Sequence, residues 1–308
     1  MKSIGRHGAH EAGRGDGTSQ RPNGERPRRD AGRSPAERSP EVSGVGQGRI
    51  PVIILCGGLG TRLREETEYR PKPMVEIGGR PILWHIMRLY AHFGFNEFIL
   101  CLGYKGMMIK EYFLNYQPLM SDFTIRLGDV PTVSYLSGRE AIDWSVTLAD
   151  TGIETMTGAR VKRVEKYVQA DRFMLTYGDG LASINVRALL QYHEERRKLV
   201  TITGVRPPSR FGEMNVRDGT VASFDEKPQI SEGLVNGGFF VCERGFFEYL
   251  ADDDECVLEQ EPLRRVAANN QLAAYEHDGF WQCMDTYREW QLLTKMWDSG
   301  TAPWKVWA

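Results

Sequence analysis

Residues 57–72, GGLGTRLREETEYRPK, gather three glycines, hydroxyl side chains and two kinds of cation within one short stretch. Without a Cβ, Gly57, Gly58 and Gly60 let the main chain come close to a ligand and aim its amides at phosphate oxygens. Thr61 adds a hydroxyl and Arg62 a planar guanidinium. Lys72 stands between Pro71 and Pro73, which hold it extended at low entropic cost, and a compact ammonium suits a phosphate as a point charge. The chemistry is anion binding. Two common nucleotide signatures do not fit, because a Rossmann turn through Gly58 and Gly60 would need glycine at Leu63, and no Gly-Lys-Ser/Thr follows.

Two acids and a second basic cluster extend the picture. Asp179, in TYGDGL, ends an apolar run between Gly178 and Gly180, and Asp285, in FWQCMDT, precedes an amphipathic stretch. A single aspartate after a strand is often a helix cap; two carboxylates together with phosphate oxygens are what Mg²⁺ takes. In FDEKP, Glu226 and Lys227 follow a strand-like run, and in VNGGFFV, Asn236 and Gly237 interrupt another. Such a glycine pair marks a bulge or a close approach; alone, Asn236-Gly237 reads rather as a plain hairpin turn. With Lys227 just upstream, a pocket for a sugar phosphate is the better reading.

These residues need a frame that brings them together. From residue 50 the chain alternates short β-rich runs with amphipathic stretches, the pattern of βαβ units on a mostly parallel sheet. The run 51–56 is the first strand, 81–94 a helix opened by Pro81 and closed by Gly94, 96–104 a second strand and 105–116 a second helix. Val161, Val164 and Val168 share one helical face over 157–169, and 172–180 is the next buried strand. Beyond it come strands joined by turns, with helical patterns at 258–269 and 285–298. The fold class is α/β: a Rossmann-like mixed sheet flanked by helices, with a smaller strand-rich C-terminal part. Open α/β sheets bind ligands at the carboxyl ends of their strands, where these candidates fall.

Residues 1–48 hold Gly, Arg, Pro, Ser and Glu with almost no large apolar side chains, so they cannot offset their ordering entropy and read as a disordered tail. A weak anion-binding role, or a start assigned too early, are the alternatives. Residues 49–308 read as one domain, 49–180 facing the nucleotide and 181–308 the sugar phosphate. The formal net charge of −2 excludes a global basic field for nucleic acid. Five scattered cysteines without CxxC spacing argue against a disulfide framework or a zinc site. With no apolar run long enough to span a bilayer, a reducing cytoplasm is expected. Nothing near Cys56 resembles a Cys-His pair, and the histidines at 85, 92, 193 and 277 read as structural.

Taken together, LCGGLGTRL, RPKPMVEIGGRPIL, TYGDG, FDEKP, VNGGFF and MDT resemble the sugar-1-phosphate nucleotidyltransferase family. The stretches WHIM, GYKG, IKEYF, DTGIETMTGARVKRV and APWKVW are similar to its cytidylyltransferase branch, and the resemblance runs from Ile50 to the C-terminus. It implies CTP and glucose 1-phosphate as substrates, Mg²⁺ as cofactor, and in-line attack without a covalent enzyme intermediate. Leu55, Cys56, Gly57, Gly58, Leu59, Gly60, Thr61 and Arg62 would cradle the nucleotide, with Arg62 and Lys72 drawing charge from the pyrophosphate. Thr155 and Arg160 would lie at its base and phosphates, and Gly178 would pack against it. Asp179 and Asp285 would hold Mg²⁺, Lys227 the sugar phosphate, and Glu226, Asn236 and Gly237 the sugar. The resemblance also suggests a homo-oligomer, with a hexamer as one form, and deoxysugar supply for a surface polysaccharide such as O-antigen or for a secondary metabolite. Cys56 departs from the alanine usual there. UTP or dTTP in place of CTP, and a non-catalytic homologue that binds a nucleotide sugar, are the competing readings.

Overall fold

A computed structural model of the chain describes residues 49–136, 142–207, 213–217, 220–225 and 233–307. Seven strands form the central sheet: β1 (Val52–Cys56), β2 (Glu97–Leu102), β3 (Ser145–Asp150), β4 (Arg172–Tyr177), β5 (Val200–Val205), β6 (Val235–Glu243) and β7 (Leu272–His277). Their spatial order is β7-β5-β6-β4-β1-β2-β3. All neighbours run parallel except β6, which is antiparallel to both β4 and β5. The sheet is therefore mixed and mostly parallel, as the alternation of elements implies.

β1 is apolar on both faces because both are covered. Val52, Ile54 and Cys56 enter one hydrophobic cluster, Ile53 and Leu55 the other, as the two-residue period of a strand requires. One face packs against α1 (Ile82–His92) and the C-terminal α6 (Tyr287–Asp298), with Trp304 and Trp307 of the tail buried there too. The other face packs against α3 (Thr157–Arg163) and α5 (Glu261–Ala268). α2 (Gly106–Leu114) follows β2, and α4 (Val186–Arg196) follows β4. No helix among the described residues is long and apolar enough to cross a membrane.

Several elements differ from the sequence pattern in extent. The helix expected over 157–169 ends at Arg163 and continues as a tight turn at Glu165–Tyr167, yet Val161, Val164 and Val168 are all fully buried. Periodicity there found the buried face and not the helix end. Pattern reading passes over α4, whose capping signal is Asn185, a side chain that accepts from the N–H groups of Arg187 and Ala188 at 3.0 Å. It also passes over a hairpin pairing Phe123–Arg126 with Thr132–Tyr135.

A small ribbon outside the main sheet matters most for function. Gly180–Ala182 pairs antiparallel with Trp281–Cys283, Gly180 lying opposite Cys283. Asp179 and Asp285 therefore emerge side by side at one end of it, beside the carboxyl ends of β1 and β4.

Candidate active site

The glycine loop leaves β1 at Cys56 and turns back through Gly60, whose φ of +65° suits glycine. Thr67 Oγ1 donates to the carbonyls of Gly60 (3.0 Å) and Leu63 (2.8 Å), fixing the turn. The tip at Gly58, Leu59, Thr61 and Arg62 is exposed, whereas Gly57 is buried. A Cβ on Gly57 would lie 2.1 Å from the Arg160 guanidinium, and one on Gly178 would lie 2.7 Å from the Leu55 carbonyl. Gly178 thus packs directly against the end of β1.

Arg160 is almost fully buried beneath this loop. Its guanidinium donates to the carbonyls of Gly57, Leu102, Gly152 and Ile153 and to Thr151 Oγ1, at 2.7–3.1 Å. Through the Gly57 carbonyl these bonds tie Arg160 to the base of the glycine loop. Thr155 lies two residues ahead of the same helix; its hydroxyl accepts from Arg163 (2.7 Å) and donates to Asp254 (2.6 Å). The Cys56 thiol is buried and its pKa is raised well above that of a free thiol by burial, which leaves it inert.

Lys72 is not extended, as its flanking prolines suggested, but opens a 3₁₀ turn at Lys72–Met74 that the Met74 N–H closes on the Pro71 carbonyl at 2.8 Å, and its side chain reaches across to the ribbon. Its Nζ donates to Asp179 Oδ2 at 2.5 Å and to Asp285 Oδ1 at 2.6 Å. Arg62 Nη1 donates to the second Asp285 oxygen at 3.0 Å. Burial acts to lower the Lys72 pKa, but the two carboxylates outweigh it and hold the ammonium above its usual value. Burial likewise acts to raise Asp285, and Lys72 and Arg62 outweigh it, keeping that carboxyl ionised. A backbone bond from the Met284 N–H to the Asp179 carbonyl (2.9 Å) ties the two segments together. Neither aspartate caps a helix: α6 is capped by Thr286, whose partner Glu289 also receives the Asp285 N–H at 2.7 Å.

Two carboxylate oxygens already converge on one cation, and hard oxygen donors in that arrangement fit a small divalent ion. Among the described residues no cluster of three or more His, Cys, Asp or Glu side chains is placed to bind a metal. An ion held by Asp179 and Asp285 would complete its shell with ligand oxygens and water.

Beside the aspartates lies a cleft of about 530 Å³, whose lining includes Arg62, Asp179, Asp285, Asn236 and Gly237. Asn236 and Gly237 belong to β6 itself and not to a turn. The glycines that follow Asn236 serve a close approach within the chain: a Cβ on Gly238 (φ +81°) would strike the Tyr177 ring, and the Gly237 carbonyl accepts from Trp281 Nε1 at 2.7 Å. Glu226 and Lys227 lie outside the described residues.

The cleft contains a chain of hydrogen bonds that sequence patterns missed. Asn236 Nδ2 donates to the Tyr177 hydroxyl at 3.1 Å, Tyr177 donates to Glu259, and Thr157 donates to the other Glu259 oxygen at 2.8 Å. Asn236 Oδ1 accepts from the Gly238 N–H at 2.8 Å, so the orientation of the amide is fixed. Tyr177 was the legible member, one residue before the Gly178-Asp179 pair; Glu259 carried no local signal.

A model of the nucleotidyl transferase family matches residues 51–291. The glucose-1-phosphate cytidylyltransferase of Salmonella typhimurium (strain LT2) is 49% identical over 259 residues, 84% of this chain and 100% of that protein. A probable glucose-1-phosphate cytidylyltransferase of Bacillus subtilis (strain 168) is 45% identical over 258 residues, 84% of this chain and again 100% of the relative. Among solved structures, HddC from Yersinia pseudotuberculosis superposes with a TM-score of 0.58 at 22% identity, covering 80% of this chain and 99% of that one. A UDP-glucose pyrophosphorylase complexed with UDP-glucose gives 0.58 at 14% identity over 82% of this chain and 99% of that one. At those identities the structures establish the likeness of fold.

Proposed function

The chain belongs to the nucleotidyl transferase family, and from that premise we propose that it transfers the cytidylyl group of CTP to α-D-glucose 1-phosphate, yielding CDP-glucose and pyrophosphate. The observation that carries this reading is the likeness to glucose-1-phosphate cytidylyltransferases along their whole length. The cleft supports it by setting an anion-binding loop, two convergent carboxylates and a polar sugar-sized recess side by side.

In this reading a phosphate oxygen of glucose 1-phosphate attacks the α-phosphorus of CTP in line. One P–O bond forms as the bond to the bridging oxygen of the pyrophosphate breaks. Such a transfer needs little acid–base help, so positioning and charge stabilisation carry the rate. The loop from Leu55 to Arg62 presents amides to the phosphates, with Arg160 and Gly178 fixing its shape. Arg62 and Lys72 take up negative charge as pyrophosphate departs. Asp179 and Asp285 hold Mg²⁺, which when bound neutralises and orients phosphate oxygens. Asn236, Gly237 and Glu226 contact the sugar, Lys227 binds its phosphate, and Thr155 supports the nucleotide end.

The reading extends to a homo-oligomer. On the hairpin, Phe123, Ile125 and Val133 are exposed, as are Leu127 and Val130 in its connection, an apolar surface of the kind that a second copy covers. The free cysteines support a cytoplasmic setting.

Pyrophosphate release measured with glucose 1-phosphate and each of the four NTPs tests the assignment. CTP is expected to be the preferred donor; turnover with UTP or dTTP and none with CTP would overturn it.

A further inference from the structure

The same two aspartate oxygens that fit a divalent ion are held by Lys72. Its ammonium sits 2.5 Å from Asp179 Oδ2 and 2.6 Å from Asp285 Oδ1, and its side chain is 12% exposed. Mg²⁺ binds oxygen at about 2.1 Å, so an ion bridging that pair would occupy nearly the position of the Lys72 nitrogen. The two cations exclude one another.

Resting on the metal reading above, we propose that Lys72 holds the place of the divalent cation between Asp179 and Asp285, and that entry of the cation displaces the ammonium toward the nucleotide phosphates. Three features carry this. Two adjacent carboxylates repel, and the Lys72 ammonium lies in contact with both. Arg62 is a poor candidate for bridging them, since its side chain is 74% exposed and, among the described residues, it reaches Asp285 and not Asp179. The Lys72 backbone is fixed between Pro71 and the buried Pro73, while four rotatable carbons leave its head group free to swing. Exchange turns a charge-balanced cluster into a positively charged one and releases a cation beside it, so metal and phosphate favour each other's binding reciprocally.

The probe is Mn²⁺ alone, titrated into the full-length, metal-free protein and followed by the electron paramagnetic resonance of the free ion. Lys72→Met is expected to bind Mn²⁺ about tenfold or more tightly than wild type, within the usual range of coupling. Arg62→Met, which removes a cation touching the same aspartate, is expected to change affinity less than about fivefold. Equal changes in both variants mean that Lys72 acts only as a nearby charge, and no change in Lys72→Met means that it does not compete; either overturns the proposal. Should Lys72→Met fail to fold, wild type decides. The ¹⁵Nζ resonance of Lys72, assigned by its loss in Lys72→Arg, is expected to shift when Mg²⁺ is added, and an unchanged signal at saturating Mg²⁺ overturns the proposal. A CTP-active enzyme in which Lys72 does not compete loses the place-holder alone. Failure of Mn²⁺ to bind either protein removes the metal reading with it.

Discussion

The main-chain N–H of Met284 donates to the carbonyl of Asp179 at 2.9 Å, one residue outside the ribbon pairing of Gly180 with Cys283. That bond sets the register between two segments distant in sequence: the main chain of Asp179 pairs with the residue before Asp285, and the two carboxylates meet on the Lys72 ammonium. Register in a ribbon is an all-or-nothing property, because a one-residue slip sends a side chain to the other face.

Asn at either position preserves shape and removes charge. Asp179→Asn and Asp285→Asn should each lower turnover about a hundredfold or more, the scale of losing one preorganised electrostatic contact, while thermal unfolding stays close to wild type. Pyrophosphate release at saturating Mg²⁺ with a parallel melting curve checks this. Near-normal turnover would remove both aspartates from the metal site.

The hydrogen-bonded chain from Asn236 through Tyr177 to Glu259 predicts a selective defect. Tyr177→Phe removes the acceptor of the Asn236 Nδ2 bond and Glu259→Gln weakens the hold on the Tyr177 hydroxyl, leaving the Gly238 N–H as the amide's remaining anchor in this chain; losing one such hydrogen bond is worth about 1 kcal/mol. The KM for glucose 1-phosphate should rise roughly fivefold or more, with the KM for CTP nearly unchanged. Lys227→Ala should shift the same constant further, since a charge-assisted contact is stronger. A rise confined to the CTP constant would reverse the two halves of the site.

Arg160 should behave as a structural clamp. Arg160→Met takes a donor from four carbonyls and a hydroxyl; the Gly57 and Leu102 carbonyls keep the N–H groups of Tyr104 and Thr151, so the loss predicts destabilisation of about 2 kcal/mol. Arg160→Lys reaches too few of these acceptors to restore it. Urea unfolding measures the loss; a stability equal to wild type would show that the loop holds itself.

How far the site could be read in sequence follows from how local each determinant is. The glycine loop and Lys72 are legible because their reasons are local: a missing Cβ, two flanking prolines. Asp179 and Asp285 are legible as types, but their meeting depends on a ribbon of three residues on each side, too short for periodicity to declare. Asn236-Gly237 looks like a turn and is strand, since the glycines answer to Tyr177 and Trp281 from elsewhere in the chain. Glu259 was invisible because its role exists only through partners brought by β4 and α3. Arg160 was found as a cation, and only packing reveals that its charge is spent on carbonyls beneath the loop.

The last prediction concerns pH and the C-terminal tail. His85, on α1, is fully buried among Trp84, Trp297, Trp304 and Trp307. Its Nε2 pairs with the Ile77 carbonyl at 2.9 Å, and Trp304 Nε1 donates to its Nδ1 at 3.4 Å, which requires the neutral ring. Burial lowers its pKa from 6.5 to about 4. The unfolded chain therefore takes up a proton at higher pH than the folded one. The stability that His85 contributes is complete above pH 6.5 and is lost as pH falls toward 4, by about 3 kcal/mol over that window. Unfolding free energies of wild type and His85→Gln should accordingly converge between pH 7.5 and pH 4.5, with the variant showing the shallower slope. Parallel slopes would mean that the imidazole is protonated within the fold and that its tryptophan cage accommodates the charge.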